Sequence, residues 1–261
     1  MAKDDFYIGY NDKAPYGTMK FIKSRVGILA IVVVLTALGF SLGQQKFGNA
    51  SFELGKLTQV EGVLHVNPYP ILRVEIAPDE FKEILLLGFG KFGAESGLMQ
   101  IAGEEAVEGL RVKLEGTLIY YDGITLMQLE PQLEGTYEVL GRSTEQLKST
   151  AMGTVSLEGE VIDPKCYFGV MKPGHGKIHR SCAVRCISGG VPPVFVSTNE
   201  EGNSSFLLIT NESGKAANQD VLDIIGKPCT LTGELMQVGQ WTLLKMESDK
   251  IVDLGTKSSV Y

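Results

Sequence analysis

The sequence predicts a mainly β protein, with one N-terminal transmembrane helix followed by two tandem copies of a small β-barrel domain. Three observations carry this expectation. Residues 26–45 contain no charged side chain and include the apolar run VGILAIVVVLTALGF. Beyond them, short runs such as KLTQVEGVLHV, ILRVEIA and SFLLIT alternate apolar with polar residues and are punctuated by glycine, the period-2 pattern of half-buried strands. The two halves of this β region also align with each other, the mark of an internal repeat.

At about 1.5 Å of rise per residue, an apolar helix of this length crosses most of a hydrocarbon layer of about 30 Å. Lys20, Lys23 and Arg25 precede it and only Lys46 follows closely. The bias of positive charge to the cytoplasmic side therefore places residues 1–25 inside and the domains outside. The leader contains DDFYIGYNDKAPYG and no A-x-A cleavage pattern follows the apolar run, so an uncleaved anchor is expected rather than a signal peptide. In a bacterium this gives an inner-membrane protein with periplasmic C-terminal domains. Phe6, Tyr7, Tyr10 and Tyr16 form a candidate cytoplasmic docking strip.

The repeat organises the rest. GTLIYYDGITLMQLE (116–130) lies without a gap on GELMQVGQWTLLKME (233–247), and VEGVL around Gly62 lies on LEGEV around Gly159. From Gly62 to Gly116 is 54 residues, and from Gly159 to Gly233 is 74; the twenty extra residues fall at a Cys/His-rich segment. Five short strands with one helix before the fourth is the layout of the OB-fold, so two OB-like barrels are expected. They span 52–133 and 153–254, with a linker over 134–152 and a flexible tail over 255–261. NQDVLDIIG is expected to supply the helix of the second copy, capped by Asn218 or Asp220, with Val221, Leu222, Ile224 and Ile225 as its apolar face. A single larger β-sandwich is the rival architecture.

The formal charge is −7, made of +2 over residues 1–25 and −9 over the remainder. That acidic bulk repels phosphate backbones, which argues against a nucleic-acid partner. GFGKFG (88–93) matches G-x-G-x-x-G but has no βαβ unit around it, so it reads as a glycine-rich loop. His65 reads as a surface or satisfied core histidine within a strand, Cys229 as a buried thiol at the start of an inner strand, and Trp241, Tyr120 and Tyr121 as barrel packing. No nucleophile–base arrangement or pair of catalytic carboxylates stands out, so no catalytic residue is assigned and a non-enzymatic role is expected.

The chemistry concentrates in CYFGVMKPGHGKIHRSCAVRC (166–186), which holds three of the four cysteines and two of the three histidines. If GKIHRSCAVRCI is helical, His179, Cys182 and Cys186 share one face at i, i+3 and i+7, with His175 a turn earlier. Cys166, after a strand, can close over that face across the PGHG turn. Three readings stay open. Cys166, His175, His179, Cys182 and Cys186 can ligate zinc, copper or an iron–sulfur centre, with Met171 as a soft ligand for copper. Alternatively Cys166 closes a disulfide to Cys182 or Cys186, worth about 3 kcal/mol for a loop of this size. Or one cysteine is a redox thiol activated by His179, Arg180 and Arg185.

Asp163, Cys166, Tyr167, Gly176, His179, Cys182, Ala183, Cys186, Gly190 and Pro192 form D-x-x-C-Y, then G-x-x-H-x-x-C-A-x-x-C, then G-x-P. This segment resembles the signature of a group of uncharacterised bacterial exported OB-like proteins, over residues 157 to about 254. The resemblance implies an exported module serving redox or metal-handling systems. The expected function is thus a membrane-anchored periplasmic accessory subunit that binds a metal or redox cofactor and docks on a membrane complex. The alternatives are a structural module with a disulfide-braced loop, and a thiol–disulfide enzyme or haem chaperone. The last resembles the cytochrome c maturation haem chaperone in architecture only, without its motif, and the absence of C-x-x-C-H excludes covalent haem attachment.

Overall fold

A computed structural model of the chain describes residues 15–43, 50–102 and 106–255. The expected docking residues Phe6, Tyr7 and Tyr10, the end of the expected span at Gln44 and Gln45, and residues 256–261 of the tail lie outside the described residues. The chain divides into two compact units, one holding the N-terminal helix and one holding everything from the first strand onward.

Helix α1 (Tyr16–Gly43) begins ten residues before the uncharged run and has none of its residues buried. Its most apolar window has a mean hydropathy of 2.5, long and apolar enough to cross a membrane. The basic residues Lys20, Lys23 and Arg25 lie within its first turns, and the Arg25 guanidinium stands 5.0 Å over the Phe21 ring.

The β unit contains two closed five-stranded barrels in tandem. In the first, β1 (Ala50–Phe52) is a short flanking strand, and β2 (Thr58–His65), β3 (Ile71–Ala77) and β4 (Glu80–Leu87) form an antiparallel meander. After helix α2 (Glu95–Ala102) come β5 (Leu110–Tyr121) and β6 (Ile124–Leu129). β6 pairs parallel with β4, and β5 pairs antiparallel with both β6 and β2, which closes the sheet on itself. Closure removes the unpaired edges that an open sheet of this size exposes. β7 (Tyr137–Arg142), within the segment read as a linker, pairs with β5.

The second barrel repeats the plan with β8 (Ser149–Ile162), β9 (Val194–Thr198), β10 (Ser204–Thr210), β11 (Pro228–Val238) and β12 (Trp241–Met246). β10 pairs parallel with β12, and β11 closes onto β8. The registers coincide: Gly116 pairs with Leu129 as Gly233 pairs with Met246, and Gly62 pairs with Val112 as Gly159 pairs with Cys229. Each repeated glycine sits where a Cβ would meet the backbone of the neighbouring strand, at 2.6 Å for Gly116 and 2.2 Å for Gly233. That close approach explains why the repeat preserves glycine there.

Register also sharpens the size of the insertion. The offset between the copies is 97 residues at Gly62 and Gly159, 123 at Ile71 and Val194, and 117 at Gly116 and Gly233. Twenty-six residues are therefore gained between the first and second strands of the second barrel, and six are lost later. The net of twenty is the sequence difference.

The expected helix over NQDVLDIIG does not form. The helix before the fourth strand exists as α2 in the first barrel, whereas the second barrel has i+3 turns there, closed by Asp220, Ile224 and Lys227 amides. The physical reason is that the inserted helix α3 (Gly176–Ser188) takes the plugging role. Its Ala183 and Ile187 join Val221, Ile224 and Ile225 in the core at that end of the barrel. Asn218 does not cap a helix of its own; its amide donates to the Ile187 and Val191 carbonyls, which satisfies acceptors at the end of α3.

The two barrels share one continuous core, with Ile71, Leu85 and Leu126 of the first packed in the same cluster as Val194, Leu208 and Trp241 of the second. Tyr69 crosses the boundary. Its hydroxyl donates to the Ile209 carbonyl at 2.6 Å and accepts from the Ala217 amide at 2.9 Å. Trp241 Nε1 donates back to the Glu83 carbonyl.

Candidate metal centre

The insertion leaves β8 at Ile162 and turns immediately. Asp163, fully buried, accepts the Lys165 amide on Oδ1 at 2.9 Å, and its carbonyl accepts the Tyr167 amide. This fixes Cys166 at the start of a one-turn π-helix, Cys166–Val170, closed by the Met171 amide on the Cys166 carbonyl. Single π turns widen the backbone locally and recur at functional sites. Gly174 then passes so close to Tyr167 that a Cβ would lie 2.5 Å from its Cα.

α3 starts where its N-terminus meets β8. The buried Glu160 carboxylate accepts the Gly176 amide, placing negative charge at the positive end of the helix. One face of α3 then carries His179 and Cys186, both buried, and Cys182, half-buried. The helix ends at Gly189, whose amide reaches the Arg185 and Cys186 carbonyls, and Gly190 follows at φ +104°.

Two overlapping sets of ligand-type atoms result. Cys166 Sγ, a ring nitrogen of His179 and Cys182 Sγ lie within 4.8 Å of one another. Cys166 Sγ, a carboxylate oxygen of Asp163 and Cys186 Sγ do so as well. Among the described residues, His179 Nε2 and Asp163 Oδ2 are buried without a hydrogen-bond partner. Groups of this kind are costly to bury unless something else satisfies them. All four cysteines are free thiols, and Cys229 lies apart in the core of the second barrel.

Of the five residues expected from sequence, the structure thus brings together Cys166, His179, Cys182 and Cys186. His175 is the N-cap residue of α3, its ring 6.0 Å from that of Tyr167, and it belongs to neither set. Met171 is the C-cap of the π-helix with an exposed side chain. Cys166 lies four residues beyond the buried end of β8 at Ile162, and it stands over the α3 face near His179, Cys182 and Cys186.

Three participants were not expected. Asp163 places a carboxylate oxygen among the ligand-type atoms. Lys91, from the glycine-rich loop of the first barrel, donates to Cys182 Sγ at 2.9 Å. Lys165, buried, donates from Nζ to the Gly88 and Gly90 carbonyls of that same loop at 2.9 Å each. The loop is pressed against the end of α3: the Gly93 amide donates to the Gly189 carbonyl, and a Cβ on Gly189 would stand 2.1 Å from the Lys91 carbonyl oxygen. GFGKFG therefore needs its glycines to close over the cluster, a role that only the pairing of the barrels reveals.

The electrostatics fit ligation better than free-thiol chemistry at the buried positions. The Cys166 thiol is pushed far up by its hydrogen bond with Cys186, by burial and by Asp163, so without a cation it stays protonated. Burial holds the His179 imidazole below its ordinary value, favouring the neutral form that binds metals. Lys91 is held above its ordinary value, chiefly by the bond to Cys182, while burial lowers Lys165.

No protein-family model, curated protein or solved structure matches the chain. The donor set is then the most direct guide to function.

Proposed function

We propose that this chain is a membrane-anchored metal-binding protein whose centre is built from Cys166, His179, Cys182 and Cys186. The observation that carries the reading is the convergence of two sulfurs and an imidazole nitrogen within 4.8 Å, with His179 Nε2 buried and unpartnered. Thiolate and imidazole are the ligands of thiophilic cations such as zinc and copper(I). Lys91 then acts on the ligand itself, donating to a sulfur that carries negative charge when coordinated.

The finer reading places the barrels outside the cytoplasm and makes the protein an accessory subunit of a membrane redox or metal-handling complex. The basic residues before the apolar run support the orientation. A local reversal of charge supports docking near the centre: residues 164–199 carry five Lys/Arg and no Asp/Glu in a chain of net charge −7. Lys172, Lys177 and Arg185 of that stretch are exposed, and complementary charge steers association with an acidic partner. A second reading, thiol chemistry at Cys182, is favoured by the Lys91 contact, since a cation beside an accessible sulfur is the setting of reactive cysteines.

The test is cobalt(II) binding by the reduced full-length protein in detergent. Thiolate coordination produces a near-ultraviolet charge-transfer band, expected in wild type and in His175→Ala and lost in Cys166→Ser. No band in wild type, together with no copper(I) bound by the same protein, would overturn the metal reading.

A further inference from the structure

We infer that the cluster holds two metal ions bridged by the Cys166 thiolate. The inference rests on the metal-binding reading and specifies its stoichiometry. Cys166 belongs to both ligand sets, with His179 and Cys182 in one and Asp163 and Cys186 in the other. Each set contains a residue that carries a buried, unpartnered polar atom: His179, 4% exposed, with its Nε2, and Asp163, fully buried, with its Oδ2. A single ion beside His179 and Cys182 would leave the Asp163 oxygen unsatisfied.

Helix geometry separates the two positions. His179 and Cys186 are seven residues apart on α3, about 10 Å along its axis, whereas Cys182 is only about 4.5 Å beyond His179. One ion with bonds of about 2.0–2.3 Å to its ligands does not readily span His179 and Cys186. Cys166, approaching from the π-helix, is the donor common to both ends. Ligands of one ion stand about 4 Å apart, so each set needs to close by at most about 1 Å.

Charge selects the ions. Three thiolates and the Asp163 carboxylate make four negative charges, while the Lys91 and Lys165 ammonium groups return two. Over these ligands and lysines two monovalent ions bring the sum to zero, with the buried Glu160 carboxylate answered separately by the N-terminus of α3, and an unbalanced buried charge is expensive. Copper(I) meets the requirement and accepts two or three soft ligands: His179, Cys182 and Cys166 at one position, Cys166 and Cys186 beside Asp163 at the other. Binding exchanges the thiol protons for metal, with no change of oxidation state.

The experiment is an anaerobic titration of reduced full-length protein in detergent with copper(I), against a competing chelator, with stoichiometry read independently by native mass spectrometry. Wild type is expected to take two equivalents, His179→Ala one and Cys186→Ser one. A wild type that saturates at one equivalent overturns the two-ion centre and leaves the metal reading standing. None bound overturns both. Two equivalents retained by Cys166→Ser would overturn the bridging role. The wild-type count needs no variant, so a folding defect in any substitution does not decide the outcome.

Discussion

Lys91 Nζ, carried by the first barrel, lies 2.9 Å from Cys182 Sγ on the helix inserted in the second. The contact makes the centre a joint product of both barrels. Removing the ammonium by Lys91→Ala deletes a hydrogen bond to a sulfur of the proposed metal centre. Loss of an outer-shell partner typically costs about 10–100-fold in metal affinity, and because Lys91 is exposed the expected loss is at the low end, about tenfold. Competition with a chromophoric chelator measures it; unchanged affinity would separate Lys91 from the centre.

Lys165 holds the loop that carries Lys91. Lys165→Met keeps the apolar stem but leaves the Gly88 and Gly90 carbonyls without their donor. An unmade buried hydrogen bond costs about 1–3 kcal/mol, offset in part because Lys165 no longer has to be buried charged. The expected result is a lower melting temperature together with weaker metal binding, measured by thermal denaturation and chelator competition on the same sample. Loss of stability with full metal affinity would show that the loop does not need to be fixed.

Tyr69 couples the barrels. Its hydroxyl serves both the Ile209 carbonyl and the Ala217 amide, so Tyr69→Phe orphans two groups of the second barrel from a position in the first. The expected cost is about 1–3 kcal/mol. Denaturant unfolding followed by both tyrosine and Trp241 fluorescence should show one cooperative transition in wild type, because the core is continuous. Two separated transitions in wild type would contradict that coupling.

Cys229 gives an alkaline signature. Its thiol ionises near 9.0 ordinarily and is pushed up to about 12 by burial in the second barrel. Between those values the folded protein keeps a proton that the unfolded chain has lost, so its contribution is full below about pH 9 and declines as pH rises toward 12. Cys229→Ala should flatten the early part of the fall in denaturation midpoint with pH, before the tyrosines contribute. An unchanged slope would assign the alkaline loss elsewhere.

Much of the architecture was legible because alternation and glycine spacing are local signals. Gly62, Gly159, Gly116 and Gly233 each lie against neighbouring backbone, so their spacing reported strand register directly. The helical face of His179, Cys182 and Cys186 was equally local. What sequence could not show depended on distant pairing. NQDVLDIIG is expected to be helical because its apolar residues need burial, and Val221, Ile224 and Ile225 are buried, yet α3 supplies the plug that its helix would have provided. Asp163 did not read as a ligand, since its position is set by the turn after β8. Lys91 lies 91 residues from Cys182, and the only hint was the run of glycines around it, which a loop packed tightly against another backbone requires.

The most direct test of the central claim is a joint measurement of metal content and free thiols on the full-length protein, purified in mild detergent without chelator or reductant. At least one thiophilic metal ion per chain is expected, with Cys166, Cys182 and Cys186 all reduced and Cys182 protected from alkylation until the metal is stripped. Metal-free protein with two of these three cysteines joined in a disulfide would contradict it.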